Sequence, residues 1–302
     1  KMILENKIRL FPTKEQENKL WKSVGTARFI YNWTLSRQEA NYKLGNKFIS
    51  DNDLRKEITQ LKKTELQWLN EVSNNVAKQA VKDACEAYKK FFKKLADKPR
   101  FKSRKRSKPS FYNDTSKLKV KEGSVLLEKI GWVKIRKNSI SMDCKYYNPR
   151  ITFDGKYWYL SVGIEREPPQ VELTEEGIGI DLGIKELAVC SNGMRFKNIN
   201  KTKKVRKLEK RLRRLQRKIS NKYEQNKEGR TFVKTSNILK IENKIRLLHR
   251  KLSNIRSNHN HQATNLIVKT KPSRVVMETL NIKGMMKNKH LSKAIAKQCL
   301  YE

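Results

Sequence analysis

The spacing of hydrophobic and polar positions changes period several times along the chain. Residues 2–10, "MILENKIRL", alternate with period two, as a strand does. Pro12 and Thr13 follow, and Gln16 stands three positions after Thr13, the spacing of a capping box. Onward to Tyr42, Leu20, Val24, Ala27 and Tyr31 recur at helical spacing, with Trp21, Phe29 and Trp33 adding ring bulk. A second helix is expected from near Asp51, with Leu54, Ile58 and Leu61 on one face. A third carries Ala77, Val81, Ala84, Tyr88, Phe91 and Leu95 in steps of four and three. The pattern predicts a helical block over 13–97 inserted after one strand.

Period two returns from 117 to 166, in "WVKIRK", "PRITFDG" and "KYWYLSVGIE", with a hairpin turn signal at Asp154-Gly155. "EREPPQVELTEE" reads as a linker from its prolines and acids. "GIGIDLGIKELAVCSNG", residues 177–193, reads as a buried strand, a turn and a second strand. Two helices follow. Leu208, Leu212, Leu215 and Ile219 form one apolar seam, and Ile238, Ile241, Ile245, Leu248, Leu252 and Ile255 form another. Their 3–4 spacing suits two antiparallel helices zipped together. "SRVVMETLN", residues 273–281, returns to a strand, and a last helix begins after it.

Charge changes what this framework is for. The 302 residues carry a net charge of +40, with 70 Lys and Arg against 30 Asp and Glu. Repulsion on that scale opposes compaction unless a polyanion neutralises it, and nucleic acid is the polyanion whose counterions Lys and Arg release. Two segments concentrate the charge. "KPRFKSRKRSKPSFY", residues 98–112, holds Arg100, Phe101, Lys102, Arg104, Lys105 and Arg106, and its prolines forbid a continuous helix. An extended arm is expected, with cations on phosphates and Phe101, Phe111 and Tyr112 against bases; a basic linker anchored by those rings is the other reading. The outer face of the first seam helix holds Lys203, Lys204, Arg206, Lys210, Arg211, Arg214 and Arg217, a second nucleic-acid surface or a solvated charged face. Cys85, Cys144, Cys190 and Cys299 form no C-x-x-C pair, so no zinc site is expected. No apolar run approaches membrane-spanning length and no signal peptide is evident, so a cytosolic or nucleoid setting is expected.

Against this background two acids stand out. Asp181 lies in "GIGIDLGI" and Glu278 in "RVVMETL", each an apolar β-branched run of the buried-strand kind. A lone ionised carboxylate there is costly unless it pairs with a cation or binds a metal. If the two strands are neighbours, both acids can converge on one Mg²⁺, the arrangement phosphodiester hydrolysis uses. Gly179 and Gly183 flank Asp181 and would allow close approach of backbone or substrate.

Taken in order, "KIRLFPTKEQE", "ARFIYNW", "PRFKSRKRS", "IGIDLGIKELAVCSNG", "KLEKRLRRLQRKIS" and "METLNIKGMMKN" resemble successive motifs of the TnpB family of transposon-encoded RNA-guided nucleases, relatives of the type V CRISPR effectors. The resemblance implies an α+β multidomain fold. Its first part is a wedge β-barrel split by a helical recognition block, with the first strand in 1–12, the block in 13–97, and the arm and remaining strands in 98–170. A RuvC domain of RNase H-like fold would occupy 171–302, with a helical hairpin at about 203–268. It further implies Asp181 and Glu278 as two RuvC carboxylates and Mg²⁺ ligands, with a guide RNA and double-stranded target DNA as partners.

The family pattern also has a third carboxylate and a zinc ribbon. After Glu278 the only acid is Glu302, and no C-x-x-C pair appears. Two expectations follow: a guided binder that occupies DNA as a repressor without cutting, or an active endonuclease whose remaining part lies outside these residues. An unguided RNA-binding protein is a further alternative.

Overall fold

A computed structural model of the chain describes residues 2–298 other than 105, 143 and 230, and omits the side chain of residue 283. The chain divides into two compact units, 1–168 and 169–302.

In the first unit, strand β1 (Met2–Phe11) leads into helix α1 (Lys14–Lys43). The predicted capping box forms: the Gln16 backbone N–H donates to Thr13 Oγ1 at 3.2 Å, and the Thr13 N–H donates to Gln16 Oε1 at 3.0 Å. Helices α2 (Asp51–Leu61) and α3 (Asn74–Phe92) complete the helical block. Ile30, Leu54, Ile58, Leu69, Ala77 and Val81 form its core, so the 3–4 pattern faces inward as expected. Leu95 departs from it. The helix ends at Phe92, Lys94 takes φ 58°, and Leu95 is 75% exposed. That left-handed residue turns the chain before the seam can continue.

Seven strands make the antiparallel sheet: β1, β2 (Ser110–Tyr112), β3 (Lys119–Lys121), β4 (Ser124–Leu127), β5 (Gly131–Ile135), β6 (Tyr146–Phe153) and β7 (Trp158–Arg166). Their order is β2-β6-β7-β1-β5-β4-β3. Thus β1 is central although it comes first in sequence, with Ile8 opposite Leu160 and Leu10 opposite Ile135. The expected barrel is a curled half-barrel instead: among the described residues β2 and β3 remain the two ends of the order. At the β6–β7 turn the Asp154 carboxylate accepts the N–H groups of Lys156 and Tyr157, and Gly155 takes φ 97°, which suits a residue without Cβ. Ile8, Leu10, Val125, Val133, Ile151 and Leu160 bury the inner face with Leu20 and Val24 of α1.

In the second unit β8 (Gly177–Leu182), β9 (Glu186–Cys190) and β10 (Arg195–Lys197) form an antiparallel meander. Helix α4 (Lys203–Gln225) and helix α5 (Ser236–Lys269) follow, joined by the two-residue strands β11 (Lys227–Glu228) and β12 (Thr231–Phe232). Val205 and Leu212 of α4 meet Leu248 and Leu252 of α5, while Ile219 meets Ile238 and Ile241. The seams therefore run antiparallel, as their spacing predicts. Strand β13 (Arg274–Met277) then joins β8 in parallel, giving the order β10-β9-β8-β13. Short helices α6 (Ile282–Lys287) and α7 (Ser292–Gln298) follow.

Candidate functional site: an acidic pair and two basic surfaces

Strands β8 and β13 are neighbours, and their register decides where the acids fall. Arg274, Val275, Val276 and Met277 stand opposite Gly177, Ile178, Gly179 and Ile180. One further step in that register sets Glu278 beside Asp181. Residues in step on parallel neighbouring strands share a sheet face. Among the described residues neither carboxylate has an ion pair or hydrogen bond, in contrast to acids such as Glu186, which pairs with Arg195.

The setting differs from the expected one. Both acids are exposed, and every residue of β13 is exposed. The apolar composition of "RVVM" marks strand propensity, but a strand is buried only where another layer covers it, and none of the described residues covers this edge. The desolvation argument for a metal therefore does not apply; the juxtaposition of two unneutralised carboxylates does. Of the flanking glycines, Gly183 fits the close-approach reading, since a Cβ there would lie 3.3 Å from the Glu186 carbonyl oxygen. At Gly179 a Cβ would make ordinary contact with Ser191, at 3.8 Å.

One acid of α4 is used elsewhere. Glu209 accepts from Arg256 at 2.9 Å and from Lys297 at 2.6 Å, and all three side chains are largely buried. Asn200 extends the node: it accepts from Arg256 at 2.8 Å and donates to the Lys297 carbonyl at 3.0 Å. Gln298 closes onto the strand by donating to the Gly183 carbonyl at 3.0 Å. Sequence reasoning missed this node because its members lie far apart in the chain.

With Glu209 taken up, the outer face of α4 is left cationic. Lys203, Lys204, Arg206, Lys210, Arg211, Arg214 and Arg217 are all exposed. Lys204, Lys210, Arg211 and Arg214 line a cleft of about 480 Å³ with Lys207, Leu208 and Lys251. Lys207 and Lys251 were not singled out from the sequence; Lys251 enters through the antiparallel packing of α5. No acid lines this cleft.

The arm of the first unit is held more firmly than its composition implies. The Asn32 side chain donates to the Lys102 carbonyl at 2.8 Å and accepts the Lys102 N–H at 2.7 Å. The Lys102 ammonium lies 3.7 Å from the Tyr31 ring centroid. Burial lowers its pKa, Asp83 acts in the opposite sense, and Arg150 adds to the lowering. Asp83 itself is gripped by both Arg150 nitrogens, at 2.8 and 2.9 Å, and by Gln79 at 2.9 Å. Arg100, Arg104 and Arg106 are exposed, and Phe101 is 55% exposed. Lys105 lies outside the described residues, as does Cys299. Of the three rings expected to face bases, only Phe101 is free to do so: Phe111 is a core residue at 3% exposure, and Tyr112 is half-buried beside Thr115. The alternation of β2 turns Phe111 inward.

Sequence comparison matches two family descriptions. OrfB_IS605, described as "Probable transposase", matches residues 159–289, and its companion "Helix-turn-helix domain" matches residues 2–47. Here residues 2–47 fold as β1 and the single helix α1, not as two helices around a turn. A relative from Escherichia coli (strain K12), "Putative RNA-guided DNA endonuclease InsQ", is 34% identical over 218 residues, covering 72% of this chain and 53% of its own. This chain thus spans about half the length of that relative. A protein of Streptomyces pristinaespiralis with the same designation, without the name InsQ, is 27% identical over 305 residues, covering 96% of this chain and 70% of its own. A Cas12f1–sgRNA–target DNA complex aligns with 98% of this chain and 86% of its own at TM-score 0.51 and 12% identity, a likeness of fold alone. The matches over residues 2–47 and 159–289, with relatives aligned over 72% and 96% of the chain, lead to one conclusion: the chain belongs to the TnpB family, the OrfB proteins of the IS605 type.

Proposed function

We propose that the chain acts as an RNA-guided DNA endonuclease of the TnpB type, with Asp181 and Glu278 as two carboxylates of a RuvC-type site. The observation that carries this is the parallel register that sets Glu278 beside Asp181, in a family whose compared relatives are designated RNA-guided DNA endonucleases. The order β10-β9-β8-β13, antiparallel except for its last pair, suits an RNase H-like core with the α4–α5 hairpin inserted before β13. Residues 98–170 with β1 would be the wedge, and 13–97 the recognition block.

Two exposed carboxylates without partners fit a hard divalent cation such as Mg²⁺, which binds through one or two carboxylates and keeps waters or phosphate oxygens for its other positions. Asp181 and Glu278 would hold it, and it would supply charge stabilisation at the scissile phosphate. The chain's own part is positional. Strand pairing fixes both carboxylates on one face, and the Glu209 node keeps a competing acid away from the cations of α4. Guide RNA would neutralise the cleft and the arm, while pairing between guide and one DNA strand selects the target.

That residues 279–301 hold no acid does not favour a repressor that binds without cutting, because nearly half of InsQ lies outside the aligned stretch. The experiment is a guide exchange with the natural full-length protein in Mg²⁺. The cut site should follow the new guide, and Asp181→Ala should abolish cutting while leaving guided binding in a mobility-shift assay. Guide-directed occupancy without cutting by the unaltered protein would mean a repressor. Binding to RNA with no guide-dependent DNA site would mean an unguided RNA-binding protein.

A further inference from the structure

We propose that the solvent face of the seven-stranded sheet is a stacking platform for an unpaired segment of RNA, a surface separate from the arm and the α4 cleft. In naming the RNA as guide, the inference rests on the function proposed above; the platform itself does not.

Strand alternation builds the face. Ile8 and Leu10 turn inward and are buried, so Lys7, Arg9 and Phe11 project from the opposite side. Register extends the row across the sheet: Arg9 stands opposite Tyr159, Phe11 opposite Lys134, and Lys134 opposite Ser124. Trp132 lies two residues from Lys134 on the same side. Rings and cations interleave along this row. The Arg9 guanidinium lies 3.4 Å from the Tyr157 ring centroid and 4.7 Å from that of Phe11, a cation held between two rings. Lys7 lies 4.8 Å from the Tyr159 centroid, and Lys121 lies 4.3 Å from that of Trp132. Phe11 is 44% and Trp132 40% exposed. Among the described residues no carboxylate pairs with Lys7, Arg9, Lys121 or Lys134; Glu5, two positions before Lys7, is the acid on this side of β1.

Single exposed rings are ordinary on protein surfaces. A row of them in register across neighbouring strands, each flanked by an unneutralised cation, is the combination that binds unpaired nucleotides: rings take the faces of bases and cations take the phosphates. A duplex keeps its base faces stacked inside and could use only the cations. Guide RNA is the single-stranded partner present before any target is opened.

The test uses the full-length protein and a short fluorescent oligouridine, with binding read by anisotropy across a salt series. Phe11→Ala and Trp132→Ala should each weaken binding about fivefold or more, with the salt slope unchanged, as loss of stacking requires. Arg9→Ala should lower the slope by about 0.7. Phe11→Tyr and Trp132→Tyr keep a ring and should bind nearly as the parent does, which separates stacking from misfolding. Ring-loss variants that bind oligouridine like the parent overturn the platform. Ultraviolet cross-linking of the ribonucleoprotein purified from cells, with no DNA added, should place adducts on the peptides holding Phe11 or Trp132; their absence overturns RNA as the occupant. Failure of the guide exchange would reject the proposed function while leaving these oligouridine results standing.

Discussion

At Asp83 a carboxylate, the Arg150 guanidinium and the Gln79 amide meet where α3 approaches the sheet. Burial raises its carboxyl pKa, but the paired nitrogens of Arg150 and the Gln79 amide outweigh that and hold it below the ordinary aspartate value. An aspartate in an unfolded chain titrates near ~3.9. Because the folded value is lower, the grip of Arg150 contributes stability that is complete above the unfolded value and is lost as pH falls through the folded one. Asp83→Asn should therefore be less stable than the parent at neutral pH, and the difference should shrink below about pH 4. Urea unfolding at a series of pH values checks this; a constant difference down to strong acid would mean the pair does not titrate as described. Such pairings were not legible in the sequence. Arg150 and Asp83 are separated by 67 positions, and Asn32 and Lys102 by 70, so no local pattern joins them.

Elements were legible in proportion to how local their signals are. The Thr13 capping box and the two seams of the helical hairpin need only neighbours within a few turns, and both formed where expected. Ile238 is fully buried where the hairpin begins its return. Ile238→Ala should cost about 2–5 kcal/mol, because its methyls fill a closed seam. Thr13→Ala should cost about 1 kcal/mol, the worth of a cap. Thermal unfolding measures both, and equal losses would contradict the difference in burial. Strands β3 and β4 fall in the stretch expected to be strands but were not told apart, and β10 was not expected, because three or four residues give too little alternation to read. Strand β13 teaches the converse: its apolar run was legible, but whether anything packs on it was not. The two acids were singled out for burial in apolar strands and on the condition that those strands be neighbours; the strands are neighbours, and both acids are exposed.

Across the whole molecule the charge of +40 acts as a field, and its effect on binding is set by salt. Affinity for single-stranded nucleic acid should fall linearly with the logarithm of salt. Arg211→Ala combined with Arg214→Ala should reduce the slope by up to about 1.4, about 0.7 for each phosphate no longer neutralised. An unchanged slope would show that the α4 cleft stays empty in the complex. The central place of β1 bears on how the molecule comes into being. During synthesis Ile8 emerges about 150 residues before its partner Leu160, which at ribosomal speeds of about 5–20 residues per second is a wait of roughly eight to thirty seconds. Until β5 arrives with Ile135, the partner of Leu10, the nascent segment is a lone ribbon with both edges open, and one edge stays open until β7 arrives, so chaperones and translational pauses have a long opportunity to act on β1.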